Sequence, residues 1–300
     1  MPFLKRAIDN PRGQGLVLIA PALAVYCLFA IYPMLDVLSL SFVKWNGLTA
    51  HKTFVGLSNY VDVLFADPVF WTAFRNTAIW AALSVIFPPL VGFGFALGLN
   101  QKIPWRTPLR ALFYVPVIIA PIAVATIWRW MYDPFFGLFN ALLTGLGLQS
   151  LILDWLGDGS VALYSVFVAS VWQTAGFSMV LFLAGLQGVS KTLVEASLID
   201  GANWWQTFRH VTLPALGPTI TIVVILSAIN SLKAFDLIYG TTEGGPAQST
   251  QMLALWAYTQ SMQLGEFGRG GAISVILLVI TLIFVIPYLQ WTLRREERVR

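Results

Sequence analysis

Six apolar runs, at about 16–40, 77–99, 109–131, 161–187, 214–235 and 271–293, alternate with shorter polar segments. Each is near the ~20 residues an α-helix needs to cross a bilayer core. The pattern therefore predicts six transmembrane helices, an all-α integral membrane fold and one transmembrane domain over 1–300. The first run continues past Ala22-Leu23-Ala24 to Leu35, longer than the apolar core of a secretion signal, and reads as a retained helix. Cys27 lies inside it and is expected to pack in the core.

Two runs carry polar side chains where lipid penalises them. The fourth has Gln173 and Thr174 beside Phe177; the fifth has Ser227, Asn230, Ser231 and Lys233. Polar residues at depth face a bundle interior or an aqueous cavity and mark a pathway. The plainer reading is hydrogen bonding between helices, worth about 0.6 kcal/mol per contact. Lys233 admits attraction of an acidic ligand, snorkelling to the outer interface, or pairing with Asp236 three residues on. In the second run, Gly94 and Gly98 stand four apart and are expected to let helices approach closely. Pro88-Pro89 is expected to kink that helix.

The segment 188–213 differs from an ordinary connection. It reads as a short helix, a turn at Asp200-Gly201, and a second helix bearing Trp204, Trp205 and Phe208 before Pro214. An ordered polar loop of this kind suggests docking to a soluble partner. Elsewhere, Phe54-Val55-Gly56-Leu57-Ser58-Asn59-Tyr60 reads as the start of an interfacial helix with Ser58 or Asn59 as its cap.

Composition agrees with a bilayer: 57% of the 300 residues are hydrophobic and 11% charged, against about 25% charged in soluble domains. Lys and Arg set the orientation. With both termini cytoplasmic, that side holds Lys5, Arg6, Arg12, Lys102, Arg106, Arg110, Lys191, Arg209, Arg294, Arg295, Arg298 and Arg300, and the other holds Lys44, Lys52, Arg75, Arg129, Lys233 and Arg269. The net charge of +4 then follows from topology, and nucleic acid is not needed to explain it.

Chemistry-bearing patterns are weak. Gly185 to Thr192 imitates a phosphate-binding loop, but Ser190 stands where the last Gly belongs and an apolar run precedes it. His51 and His210 fall on opposite sides of the membrane in this topology, so they cannot share a metal. An enzyme reading finds no acid pair or metal set to attach to. An ion-coupled transporter would favour acids within the spans, whereas Asp36 and Asp236 lie near span ends.

Glu195-Ala196-Ser197, then Asp200-Gly201-Ala202, then Val211 and Leu213-Pro214 resembles the coupling loop of permease subunits of binding-protein-dependent ABC importers; Ser197 replaces an Ala of that pattern. The Val-Gly-Leu-Ser-Asn-Tyr string and Gly244-Gly245-Pro246 are similar to the carbohydrate uptake branch, in its first-permease type. The resemblance implies a type I ABC importer permease fold. It implies that Glu195, Ala196, Ser197, Asp200, Gly201, Ala202 and Phe208 meet an ATPase. It also implies that Gln173, Thr174, Phe177, Ser227, Asn230, Ser231 and Ala234 are the family's sugar-contacting positions, with Ala234 departing from a polar site. The implied function is import of a sugar or sugar derivative; another small polar solute is the alternative. The implied partners are a second permease in a heterodimer, an ATPase dimer carrying ATP and Mg, an extracytoplasmic solute-binding protein and membrane lipid. No cofactor is expected on this chain. The implied location is a bacterial or archaeal cell membrane, the inner one in a Gram-negative cell.

Overall fold

The structure, a computed structural model, describes residues 11–101 and 103–297. Lys5, Arg6, Lys102, Arg298 and Arg300 of the orientation argument lie outside the described residues. Contacts divide the chain into two units, 1–66 with 257–276, and 67–256 with 277–300.

In the first unit, α1 (Pro11–Tyr26) passes through a π-helical turn, Cys27–Ile31, into α2 (Tyr32–Leu40). The stretch Leu18–Leu40 is long and apolar enough to cross a membrane. Cys27 is exposed there rather than packed in a core, because this helix is apolar on all sides and almost none of it is buried within the chain. A short antiparallel hairpin follows, β1 (Val43–Lys44) with β2 (Thr53–Phe54), and then α3 (Ser58–Val61). Asn59 does not cap α3. It is buried and donates to the carbonyls of Ser41 at 2.8 Å and Val43 at 3.0 Å, while Tyr60 Oη meets Ser41 Oγ at 2.7 Å. An amide with two donors closes two carbonyls at once, so this string staples the end of α2.

The second unit holds α4 (Pro68–Leu99), α5 (Arg106–Ile118), α6 (Pro121–Met131), α7 (Leu138–Gly145), α8 (Ala162–Gln187), α9 (Lys191–Ile199), α10 (Trp204–Ala215), α11 (Gly217–Leu232), α12 (Asp236–Thr241) and most of α13 (Leu253–Tyr258). The last helix, α14 (Phe267–Glu297), begins in the first unit. The pair α4 and α8 forms the centre; α5 packs on α8, α11 on α4 and α12 on α6. Asp67 opens α4, accepting from the amides of Val69 and Phe70, and its other oxygen accepts from Trp256 Nε1 at 2.8 Å. Asn76, buried on α4, donates to the carbonyls of Ser249 and Gln251 and so fastens the Gly-Gly-Pro loop. Arg110 donates to the Leu99 carbonyl at 2.8 Å, closing the end of α4.

Among the described residues, four helical stretches are long and apolar enough to cross a membrane: Leu18–Leu40, Pro68–Leu99, Ala162–Gln187 and Phe267–Tyr288. The other two apolar runs are bent pairs, α5 with α6 at 98° and α10 with α11 at 63°, giving six if each pair counts as one span. Proline explains both bends. Pro121 opens α6 and holds Ala120 at ψ 135°, extended rather than helical. Pro214 and Pro218 flank the second bend and supply no amide to the helical ladder. By contrast α4 runs through Pro88 and Pro89 without ending.

The close-packing glycines are not the expected ones. A Cβ on Gly94 or Gly98 would find nothing within 4 Å among the described residues. Gly92 instead lies against the Ala175 backbone, Gly176 against the Phe113 carbonyl, and Gly185 against Thr219. Four-residue spacing marks where helices are able to approach; the partner helix decides which glycines are used.

Candidate functional site

Two places bear on function. The first is a cavity of about 470 Å³ in the second unit. Three helix faces line it. From α8 come Ser170, Gln173, Thr174, Phe177 and Ser178, spaced as one face of a 3.6-residue helix. From α11 come Ser227, Asn230 and Ser231, and just beyond its end Lys233 and Ala234. From α4 come Trp80, Ser84 and Pro88, four apart. All seven pathway positions expected from the sequence thus line one cavity. Sequence reasoning missed the α4 face, whose signal was a lone Ser84 in register with Trp80. It also missed Val117, Pro121, Phe235, Asp236 and Leu237, which reach the cavity only because the chain breaks there.

The two breaks give the cavity its polar character. Ile119 and Ala120 are extended between α5 and α6, leaving helical carbonyls without amides. Gln173, buried on α8, donates from Nε2 to the Ile119 carbonyl at 3.1 Å. The second break, Lys233 to Phe235, separates α11 from α12. Broken helices at membrane depth occur where the backbone is buried in protein or lines a cavity. Thr174 and Ser231 bond to carbonyls of their own helix, at 2.7 and 2.8 Å. Asn230 is exposed to the cavity, and its side-chain amide makes no hydrogen bond within the described residues. Lys233 sits at the end of α11, where a cation suits the helix dipole. Lys233 and Asp236 are both exposed on the cavity wall, and no ion pair joins them.

Gln173→Leu is expected to lower stability by about 1–3 kcal/mol, the cost of an orphaned buried carbonyl. Thermal unfolding of the purified protein checks this; an unchanged midpoint removes Gln173 as the support of the α5–α6 bend.

The second place is the polar loop. Here α9 ends in a full Schellman turn: the Ala202 amide donates to the Ser197 carbonyl at 2.9 Å and the Gly201 amide to Leu198 at 3.1 Å. Gly201 is at φ +83°, as that turn requires. Asn203 then caps α10 in a reciprocal box, accepting from the Gln206 amide at 2.9 Å while Gln206 Oε1 accepts from the Asn203 amide at 2.8 Å. Ser197 Oγ lies 3.0 Å from Thr207 Oγ1, so the residue that departs from Ala ties α9 to α10. Phe208 is half-buried: its ring lies 5.6 Å from Trp204, 5.6 Å from Trp205 and 6.1 Å from Phe93 of α4. Glu195, Ala196, Asp200 and Gly201 are exposed, Ala202 half-buried, and Leu193, Leu198, Ile199 and Trp204 add an exposed apolar surface. The phosphate-loop mimic is the junction of α8 and α9, with a helix where a strand is needed.

Gly201→Val is expected to strain this turn by more than the ~1–2 kcal/mol that a left-handed residue costs, although no neighbour lies within 4 Å. Limited proteolysis should then cut at 200–203 sooner than in Gly201→Asn, and equal rates would show that the turn does not depend on glycine.

Among the described residues no group of three His, Cys, Asp or Glu is placed to hold a metal ion.

Comparison with known proteins fits this architecture. The family model described as "Binding-protein-dependent transport system inner membrane component" matches residues 52–298. The trehalose/maltose transport system permease protein MalF of Thermococcus litoralis is 38% identical, over 92% of this chain and 92% of that one. The multiple sugar-binding transport system permease protein MsmF of Streptococcus mutans is 34% identical, over 98% and 99%. In fold the chain is similar to one from a bacterial ABC transporter involved in the import of the acidic polysaccharide alginate, with a TM-score of 0.84, 22% identity and coverage of 97% and 98%. The chain belongs to the family of binding-protein-dependent transport system inner membrane components, and its fold is that of a type I ABC importer permease.

Proposed function

We propose that this chain is the sugar-import permease subunit of an ATP-driven importer, and that its cavity is half of the translocation pathway. The observation that carries the reading is one cavity gathering an open amide (Asn230), hydroxyls (Thr174, Ser227) and aromatic faces (Trp80, Phe177, Phe235). Hydroxyl and amide partners with an apolar platform suit a polyhydroxy ligand. The printed names of the relatives, for trehalose/maltose and for multiple sugars, support the same class. The whole chain is one transmembrane domain in this reading, and a second permease closes the open side of the cavity.

The chain hydrolyses nothing itself. ATP and Mg act on a separate ATPase dimer, which docks on Glu195, Ala196, Ser197, Asp200, Gly201 and Ala202. Phe208 acts differently from these: half-buried and in ring contact with Phe93, it transmits the motion of the docked loop to α4. A solute-binding protein delivers the sugar on the other side. Both termini are cytoplasmic, as the Lys and Arg distribution supports. Closing and separation of the ATPase subunits opens the cavity to one side and then the other.

Purification of the chain with its copurifying subunits tests this. A sugar-loaded binding protein should stimulate ATP hydrolysis. Absence of an ATPase, stimulation only by an amino acid or peptide, or uptake driven by an ion gradient would overturn the proposal.

The opposite charges of Lys233 and Asp236 on one wall favour a neutral sugar over an acidic one. Lys233→Gln is therefore expected to leave transport of a neutral sugar within about twofold, measured in proteoliposomes. A collapse confined to an acidic sugar would assign Lys233 to substrate.

A further inference from the structure

The connection between α6 and α8 contains no charged residue from Pro134 to Leu153 and is rich in Leu and Phe. It is nevertheless ordered. Asp133 Oδ1 accepts from the amides of Phe135 and Phe136, and Asn140 Nδ2 donates to the carbonyls of Pro134 and Leu153. Trp155 Nε1 donates to Asn140 Oδ1 at 2.8 Å. The inner face of α7 is held by rings: Phe139 stacks on Tyr132 at 5.0 Å and on Trp128 at 5.7 Å. Its other face is bare. Phe135 and Phe136 are 85% and 93% exposed, and Leu138, Leu142 and Leu146, four apart, are exposed with them. On α6, Ile127 and Trp130 are exposed as well, with the exposed Arg129 between them.

The level of this surface follows from α8. Its 26 residues measure about 39 Å, against a hydrocarbon core of ~30 Å. The first turn of α8 then lies near one edge of the core, at the end opposite the α9–α10 loop. Tyr132 Oη donates to the Ser165 carbonyl in that turn at 2.9 Å, fixing the ring cluster and α7 at the same level. A surface docking a protein carries a polar rim, and this one has no charge along twenty residues of chain.

We infer that α7 is an interfacial helix, its Phe135, Phe136, Leu138, Leu142 and Leu146 face seated in the acyl–headgroup boundary of the leaflet facing away from the coupling loop. It anchors by apolar insertion, and α7 itself, with no basic residue from Pro134 to Leu153, needs no anionic lipid to hold it. An ordered, lipid-held α7 keeps the α6 end of the cavity wall at a constant depth.

Spin labels at Leu142→Cys and Leu146→Cys, each in a Cys27→Ser background, test this in the full chain with its copurifying subunits in phosphatidylcholine nanodiscs. Ala50→Cys, in the polar loop between β1 and β2, is the aqueous reference. The ratio of collisions with oxygen to those with a water-soluble nickel chelate should exceed the reference by at least about threefold at both positions. It should not change when a third of the lipid is made anionic. A ratio equal to the reference places the face in water and overturns the inference. Protection from both reagents shows a protein chain covering it and overturns it equally.

Discussion

Glu195→Lys is expected to reduce ATP-coupled transport at least tenfold while the chain reaches the membrane at normal abundance. Glu195 is exposed on α9, and its carboxylate makes no ion pair or hydrogen bond within the described residues. Reversing its charge therefore breaks nothing inside the fold, and exposed substitutions of this kind stay within about 0.5 kcal/mol. The loop around it is built to hold position: a Schellman turn ends α9, a capping box starts α10, and Phe208 rests on Phe93. A charge reversed on such a preformed surface costs about 2–5 kcal/mol if a partner group is buried against it, or at least a factor of ten. If the acid merely favours the helix N-terminus, the loss is about 0.3–1 kcal/mol and falls on stability instead. The two outcomes separate cleanly in proteoliposomes: substrate-stimulated ATP hydrolysis should fall for Glu195→Lys and fall less for Glu195→Gln. Normal transport by the lysine variant would end the coupling role of this residue.

The features readable from sequence were those with a local physical cause. Apolar runs gave the helices, because a bilayer leaves the backbone no other solution. Polar residues at 173–174 and 227–233 gave two faces of the cavity, because the helical period puts Gln173, Thr174 and Phe177 together without knowledge of any partner. The loop at 188–213 was legible as helix, turn and helix because Asp200-Gly201 is a local stop. Features fixed by distant contacts were not legible. Nothing near Asn59 announces the carbonyls of Ser41 and Val43, so a short polar residue before a helix read as a cap. The bends at Ala120 and Leu216 needed the prolines weighed against length; a run long enough to span was read as spanning. Phe208 read as part of a docking surface; its further contact with the ring of Phe93 was not legible, because that ring lies within reach only once α4 is in place.

Gly176→Ala is expected to be strongly damaging, and Gly94→Ala nearly silent. A Cβ at Gly176 would run into the Phe113 carbonyl of α5 and press Val117 Cγ2. A backbone oxygen cannot rotate away, so α5 and α8 must separate. Overpacking of this kind costs about 1–3 kcal/mol. The displaced helix ends at the Ile119 break, where Gln173 of α8 holds its carbonyl at 3.1 Å. Separation of α5 from α8 thus lengthens that bond and moves Val117, which lines the cavity. Stability and transport should fall together. At Gly94 the added methyl meets open space, and the helix gains up to about 1 kcal/mol in propensity. Thermal unfolding of the two variants side by side, with uptake measured in the same preparations, reads both effects. Equal midpoints would mean that α5 yields without cost and that Gly176 is not what sets the distance between α5 and α8. A large loss at Gly94 instead would show that a second chain packs against α4 there, and that the four-residue spacing serves contacts between subunits.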